Sequence, residues 1–66
     1  MENLRRLREA AGLTQIELSA RVGVTQAALS MWELGTAVPS LPNTVRLADA
    51  LDTSIDELLG RKSAGA

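Results

Sequence analysis

Residues 14–34 constrain the fold more than any other stretch. They read Thr14-Gln-Ile-Glu-Leu-Ser-Ala-Arg-Val-Gly23-Val-Thr25-Gln-Ala-Ala-Leu-Ser-Met-Trp-Glu-Leu34. Thr14 and Glu17 stand three apart, the spacing at which a hydroxyl and a carboxylate satisfy the free N–H groups of a helix start. Leu18 and Val22 continue the buried face of the helix so begun. Gly23 supplies the positive φ that a tight turn requires. Thr25 then caps a second helix running to about residue 33. Val24, Leu29 and Trp32 are expected to point inward, with Gln26, Ala27, Ser30 and Met31 on the other side.

The flanking segments read as further helices. Residues 3–11 place Leu4, Leu7, Arg8 and Ala11 on one face, and Gly12 ends that helix as a left-handed cap. Gly35 ends the helix begun at Thr25, and a loop over residues 36–39 follows. Ser40 caps a fourth helix, where Pro42 is tolerated because no intrahelical N–H bond is lost in the first turn. Its inner stripe is expected to be Leu41, Thr44, Leu47, Ala48 and Leu51. Ser54 and Glu57 form a second capping box, opening a short fifth helix with Ile55, Leu58 and Leu59 inward and Gly60 at its end. No strand pattern or internal repeat appears. The expected architecture is all-α, with five helices in one domain over residues 1–60 and a disordered tail over 61–66.

Composition narrows the function. A chain of 66 residues makes one small domain of marginal stability. Trp32 is the only aromatic residue, and the Leu, Val, Ile and Ala that remain suit helices packed on helices. The absence of cysteine excludes a disulfide framework and a thiolate zinc site. With no His, Cys or Tyr, no nucleophile–base arrangement can be assembled, so an enzyme is not expected. Neither a metal, a cofactor nor a small-molecule ligand is expected. No apolar run approaches the roughly 20 residues that span a bilayer, and no apolar signal core follows the charged N-terminus. The expected location is the cytoplasm, away from membranes.

Two capped helices joined by a glycine turn make a helix-turn-helix, whose second helix commonly reads bases in the DNA major groove. Charge does not advertise that role. Seven basic residues face eight acidic ones, for a net charge of −1, whereas domains that grip DNA by charge are strongly basic. Distribution compensates in part. Arg5, Arg6 and Arg8 cluster near one end of the sequence, and Asp49, Asp52, Asp56 and Glu57 near the other.

From Leu4 to Gly60 the chain resembles the Cro/C1-type, or XRE-like, helix-turn-helix family of phage repressors and small bacterial regulators. The motifs are Leu7-Arg8, Gly12-Leu13-Thr14-Gln15, Glu17-Leu18, Gly23-Val24-Thr25, Trp32-Glu33, Gly35, Pro39-Ser40-Leu41, Leu47-Ala48 with Leu51, and Ile55-Asp56-Glu57-Leu58-Leu59. Each is weak alone; in this order and spacing they are specific. The resemblance implies a compact lambda-repressor-like domain that binds a pseudo-palindromic operator in double-stranded DNA as a homodimer. It implies that Gln15 holds a phosphate and that Gln26 reads adenine, with Ala27, Ser30 and Met31 also facing bases. Arg8 and Glu33 match a partly buried ion pair that aims Arg8 at a phosphate. Thr25, Ser40 and Asn43 are further expected phosphate contacts, through helix N-termini where side chains lack charge.

The chain departs from the family at its DNA face. Met31 replaces a frequent Arg or Lys, Thr36, Ala37 and Val38 replace a commonly basic loop, and Leu34 stands where a polar residue is usual. The expected consequence is weak non-specific affinity and a shallow salt slope of about −3 to −5. The same residues support an alternative: a protein-interaction module, such as an antitoxin or anti-repressor, using a Met31/Leu34/Val38 face. Ile16 raises the same question, and Leu59 and its neighbours are candidates for the dimer contact. Gln15 and Gln26 would pass as ordinary first-turn polar residues outside this layout. Arg5 and Arg6 read equally as a solvated face or a phosphate clamp. Trp32 reads as core.

Overall fold

Four of the five helices, all but the first, begin where a short hydroxyl side chain meets a free backbone N–H. In a computed structural model, which describes Met1 and residues 3–60, the helices are α1 (Leu4–Ala10), α2 (Gln15–Val22), α3 (Gln26–Leu34), α4 (Leu41–Ala50) and α5 (Ile55–Leu59). The Thr14 hydroxyl accepts from the Glu17 N–H at 3.1 Å while the Glu17 carboxylate accepts from the Thr14 N–H at 2.9 Å, a complete capping box. Thr25, Ser40 and Ser54 cap α3, α4 and α5 by accepting from the N–H three residues on. The second expected box is only half made. Ser54 accepts from Glu57, but the Glu57 carboxylate turns away to Arg6 of α1, 3.7 Å distant.

Gly23 takes φ +82 and Gly35 φ +81, the left-handed geometry that closes α2 and α3. α4 ends without a glycine. Asp52 occupies the left-handed region at φ +51, the one non-glycine among the described residues to do so.

One leucine from each helix is fully buried: Leu4, Leu18, Leu29, Leu47 and Leu58. Val22, Trp32 and Ala48 complete the core, and Leu7, Leu13, Val24, Leu51 and Ile55 pack against it half-buried. Trp32 is a core residue, as its position on the Leu29 face implies. Burying a leucine side chain is worth about 1.5–3 kcal/mol, so these five anchors weld the helices into one unit. A clasp between segments distant in sequence joins the first and last helices. The Asn3 N–H donates to the Leu58 carbonyl and the Asn3 amide to the Glu57 carbonyl, tying the start of α1 to α5.

Three expectations about the core change. Leu41 lies in register with Thr44 and Ala48, but it is 70% exposed because no other described element covers the first turn of α4. Leu59 is largely outside the core. Adjacent helical residues point about 100° apart, and Leu58 has taken the inward position. Ala11, expected on the α1 inner face, is exposed beyond the helix end. The expected disordered tail, residues 61–66, lies outside the described residues. No described helix is long and apolar enough to cross a membrane.

Candidate nucleic-acid interface

α2 and α3 meet at the Gly23 turn, and their N-termini carry the residues singled out from the sequence. Gln26, Ala27 and Met31 are exposed, and Ser30 is half-buried. Positions 26, 27, 30 and 31 recur at i, i+1, i+4 and i+5, so they form one outward stripe along α3. The opposite stripe, Leu29 and Trp32, is in the core. The packing of α3 therefore leaves its Gln26 face available to a partner.

Behind that stripe lies a buried polar network. The Arg8 Nε donates to Glu33 Oε2 at 2.6 Å and Nη2 donates to Glu33 Oε1 at 3.2 Å, a forked pairing of the kind that fixes geometry. Nη1 donates to the Leu13 carbonyl at 2.8 Å, so Arg8 also holds the α1–α2 loop. The side chains of Arg8 and Glu33 are only 11% and 4% exposed. The Gln15 amide donates from Nε2 to Glu33 Oε1 at 3.0 Å. Gln15 Oε1 in turn accepts from Gln26 Nε2 at 3.4 Å, at the long end of hydrogen-bond range. A continuous chain thus runs from Arg8 through Glu33 and Gln15 to Gln26.

The charges follow from this packing. Hydrogen bonding to Glu33 raises the Arg8 guanidinium above its ordinary value, overcoming burial. Burial pushes the Glu33 carboxyl up, but hydrogen bonds from Arg8 and Gln15 and the Arg8 charge outweigh it and hold Glu33 below the usual carboxylate range. Both groups are ionised at neutral pH.

A cleft of about 270 Å³ opens beside the network, lined by Arg5, Arg8, Gln15, Ser30, Glu33 and Leu34. From sequence, Arg5 reads equally as a solvated face or a phosphate clamp. It lines this cleft while its Nε lies 3.6 Å from Glu9, an exposed pairing across one helical turn. Arg5 and Arg8 stand at i, i+3, and that spacing is the signal that links them. Arg6 is turned to Glu57 instead.

Thr25, Ser40 and Asn43 are not part of this network. Thr25 and Ser40 are exposed caps, and the half-buried Asn43 accepts from Arg46 Nη1 at 3.2 Å. Sequence reasoning found the Arg8–Glu33 pairing only through a family resemblance. It missed the Gln15–Glu33 and Gln15–Gln26 links, because separations of 18 and 11 residues carry no periodic signal.

The apolar departures stand in the open. Leu34 is 74% and Val38 85% exposed, and Ile16 and Met31 are also on the surface.

A family model described as helix-turn-helix matches residues 4–58. Over 60 residues the chain is 38% identical to the cryptic phage CTXphi transcriptional repressor RstR of Vibrio cholerae, covering 91% of this chain and 54% of that protein. It is 34% identical over 62 residues to the uncharacterized HTH-type transcriptional regulator YqaE of Bacillus subtilis, covering 94% of this chain and 53% of that one. It is 48% identical over 54 residues to the uncharacterized HTH-type transcriptional regulator y4dL of Sinorhizobium fredii, covering 82% of this chain and 28% of that one. The chain thus spans about half the length of the first two relatives and less of the third. Because the match takes in all of α1 to α4 and most of α5, with the Gly23 turn inside it, the chain belongs to the XRE-like helix-turn-helix family.

Proposed function

We propose that this chain is a DNA-binding transcriptional regulator, with α3 laid in the major groove. The observation that carries this reading is the outward stripe of Gln26, Ala27, Ser30 and Met31 on a helix whose other face is sealed in the core. A glutamine amide pairs bidentately with adenine N6 and N7, and Ala27 or Met31 suits a thymine methyl. Gln15, Thr25, Ser40 and Asn43 take phosphates at helix N-termini, where N–H groups and the dipole favour an anion. Arg8 joins them through the two N–H groups it does not spend on Glu33 and Leu13.

Binding as a homodimer would set two copies of α3 near 34 Å apart on a pseudo-palindromic operator. Repression is the proposed direction, in line with the relative named as a transcriptional repressor. The proposed location is the cytoplasm.

The exposed Met31, Leu34 and Val38 favour a second reading, a protein-interaction module on the same fold. Selection of bound sequences from a random duplex pool at low salt, with wild type and Gln26→Ala, separates the two. A two-fold-symmetric site that depends on Gln26 supports the regulator. A folded protein that enriches no site overturns it and moves the function to the apolar face.

A further inference from the structure

Glu33 determines which way two glutamine amides face. An ionised carboxylate can only accept hydrogen bonds. The Gln15 atom 3.0 Å from Glu33 Oε1 must therefore be its NH2 group, which leaves the Gln15 carbonyl oxygen on the far side. That oxygen is also acceptor-only, so Gln26 must present an N–H to it, at 3.4 Å. Amide orientation is ordinarily the ambiguous part of such a network. Here it is settled by the buried charge at one end, which Arg8 fixes in place through two hydrogen bonds.

The consequence appears at the outer end of the chain. Gln26 spends one of its two N–H groups on Gln15 and keeps one N–H and its carbonyl oxygen for a partner. One donor beside one acceptor complements the major-groove edge of adenine, which shows an acceptor at N7 and a donor at N6. Guanine shows two acceptors, N7 and O6, and needs two donors. Gln26 can supply both only by releasing Gln15. We propose that Glu33 is a positioning residue that acts through Gln15 to bias Gln26 toward adenine and against guanine. This inference rests on the reading of α3 as the base-contacting helix and adds the source of its base preference.

The test compares wild type, Glu33→Gln and Gln15→Leu on duplexes of the selected site with adenine or guanine opposite Gln26. Glu33→Gln replaces an acceptor-only group with an amide that can present either end. Gln15→Leu cuts the relay at a half-buried surface position and leaves the Arg8–Glu33 pair intact, so it remains informative if Glu33→Gln unfolds. Wild type is expected to favour adenine by roughly tenfold or more, the range of one bidentate contact. Both variants are expected to lower that ratio by roughly threefold or more, because a Gln26 released from Gln15 still pairs with adenine but can also turn both N–H groups to guanine. Loss of the Gln15 phosphate contact weakens both duplexes equally and cancels in the ratio.

An adenine preference undiminished in the folded variants overturns the positioning role while leaving the regulator reading intact. A random pool that yields no enriched site overturns the base-reading claim as a whole. The free protein supplies a DNA-independent readout. Glu33 makes no hydrogen bond to Gln26, so a shift of the Gln26 side-chain amide resonances in Glu33→Gln supports transmission through Gln15. Resonances that stay in place overturn it.

Discussion

Arg8 and Glu33 meet at 2.6 Å in a site where neither side chain is more than about a tenth exposed, joining α1 to the last turn of α3. Forming such a pair requires stripping two charges of water, so the pair contributes little beyond what packed apolar groups would. Breaking it is another matter. Arg8→Met strands the Glu33 carboxylate and is expected to destabilise the domain by about 3–5 kcal/mol, read from urea unfolding. Arg8→Met with Glu33→Leu should recover most of that loss. A double variant no more stable than the single one would contradict the account.

Acid should weaken the fold. Glu33 titrates below the usual carboxyl range, because its hydrogen bonds from Arg8 and Gln15 outweigh burial. Glu17 does so through the backbone N–H and the hydroxyl of Thr14. The unfolded chain therefore binds protons more readily than the folded one. Their stabilisation is complete above the ordinary glutamate value of about 4.3 and is lost as pH falls through the lower folded values. Urea midpoints should hold steady from neutral pH to about 5 and decline below it. In Glu33→Gln the decline should be shallower.

Gly23 tests the turn in isolation from packing. It holds φ +82, and an added Cβ would meet nothing within 4 Å. The whole cost of Gly23→Ala is then conformational, about 1–2 kcal/mol for a left-handed alanine. In a domain this small each kcal/mol lowers the melting temperature by about 4–8 °C, which thermal unfolding resolves. Gly23→Asn should cost less, because asparagine tolerates this region.

Two leucines that look alike in sequence should part company. Leu29→Ala removes a fully buried side chain and is expected to cost about 2–5 kcal/mol. Leu41→Ala, at a site 70% exposed, should stay within about 0.5 kcal/mol. Equal losses in denaturant unfolding would mean that something covers the first turn of α4.

The salt dependence of DNA binding probes the missing cations. With Val38 exposed in a loop that the family resemblance implies is commonly basic, the log–log slope under the proposed DNA-binding role should be about −3 to −5. Val38→Lys adds one phosphate contact and should steepen it by about 0.9 while tightening binding at low salt. An unchanged slope would place the 36–39 loop away from the backbone. Under the interaction-module reading the same substitution should weaken capture of a protein partner instead.

What the sequence determined by itself is local. The Thr14–Glu17 box, the caps at Thr25, Ser40 and Ser54, and the left-handed glycines at 23 and 35 depend on groups a few bonds apart. Side-chain reach and backbone sterics settle them before any helix packs. The same short range made the outward stripe of α3 readable, since helical periodicity separates Gln26 and Ser30 from Leu29 and Trp32. Tertiary structure decided everything that depends on how helices cross. It exposed Leu41 although the register was right, kept Leu58 and released Leu59, and sent the Glu57 carboxylate to Arg6 rather than back to Ser54. It also joined Glu33 to Gln15 and Gln15 to Gln26. Those links span two helix ends, and a carboxamide reaches its partner only when packing brings both to about 3 Å, a distance that no repeat in the chain encodes.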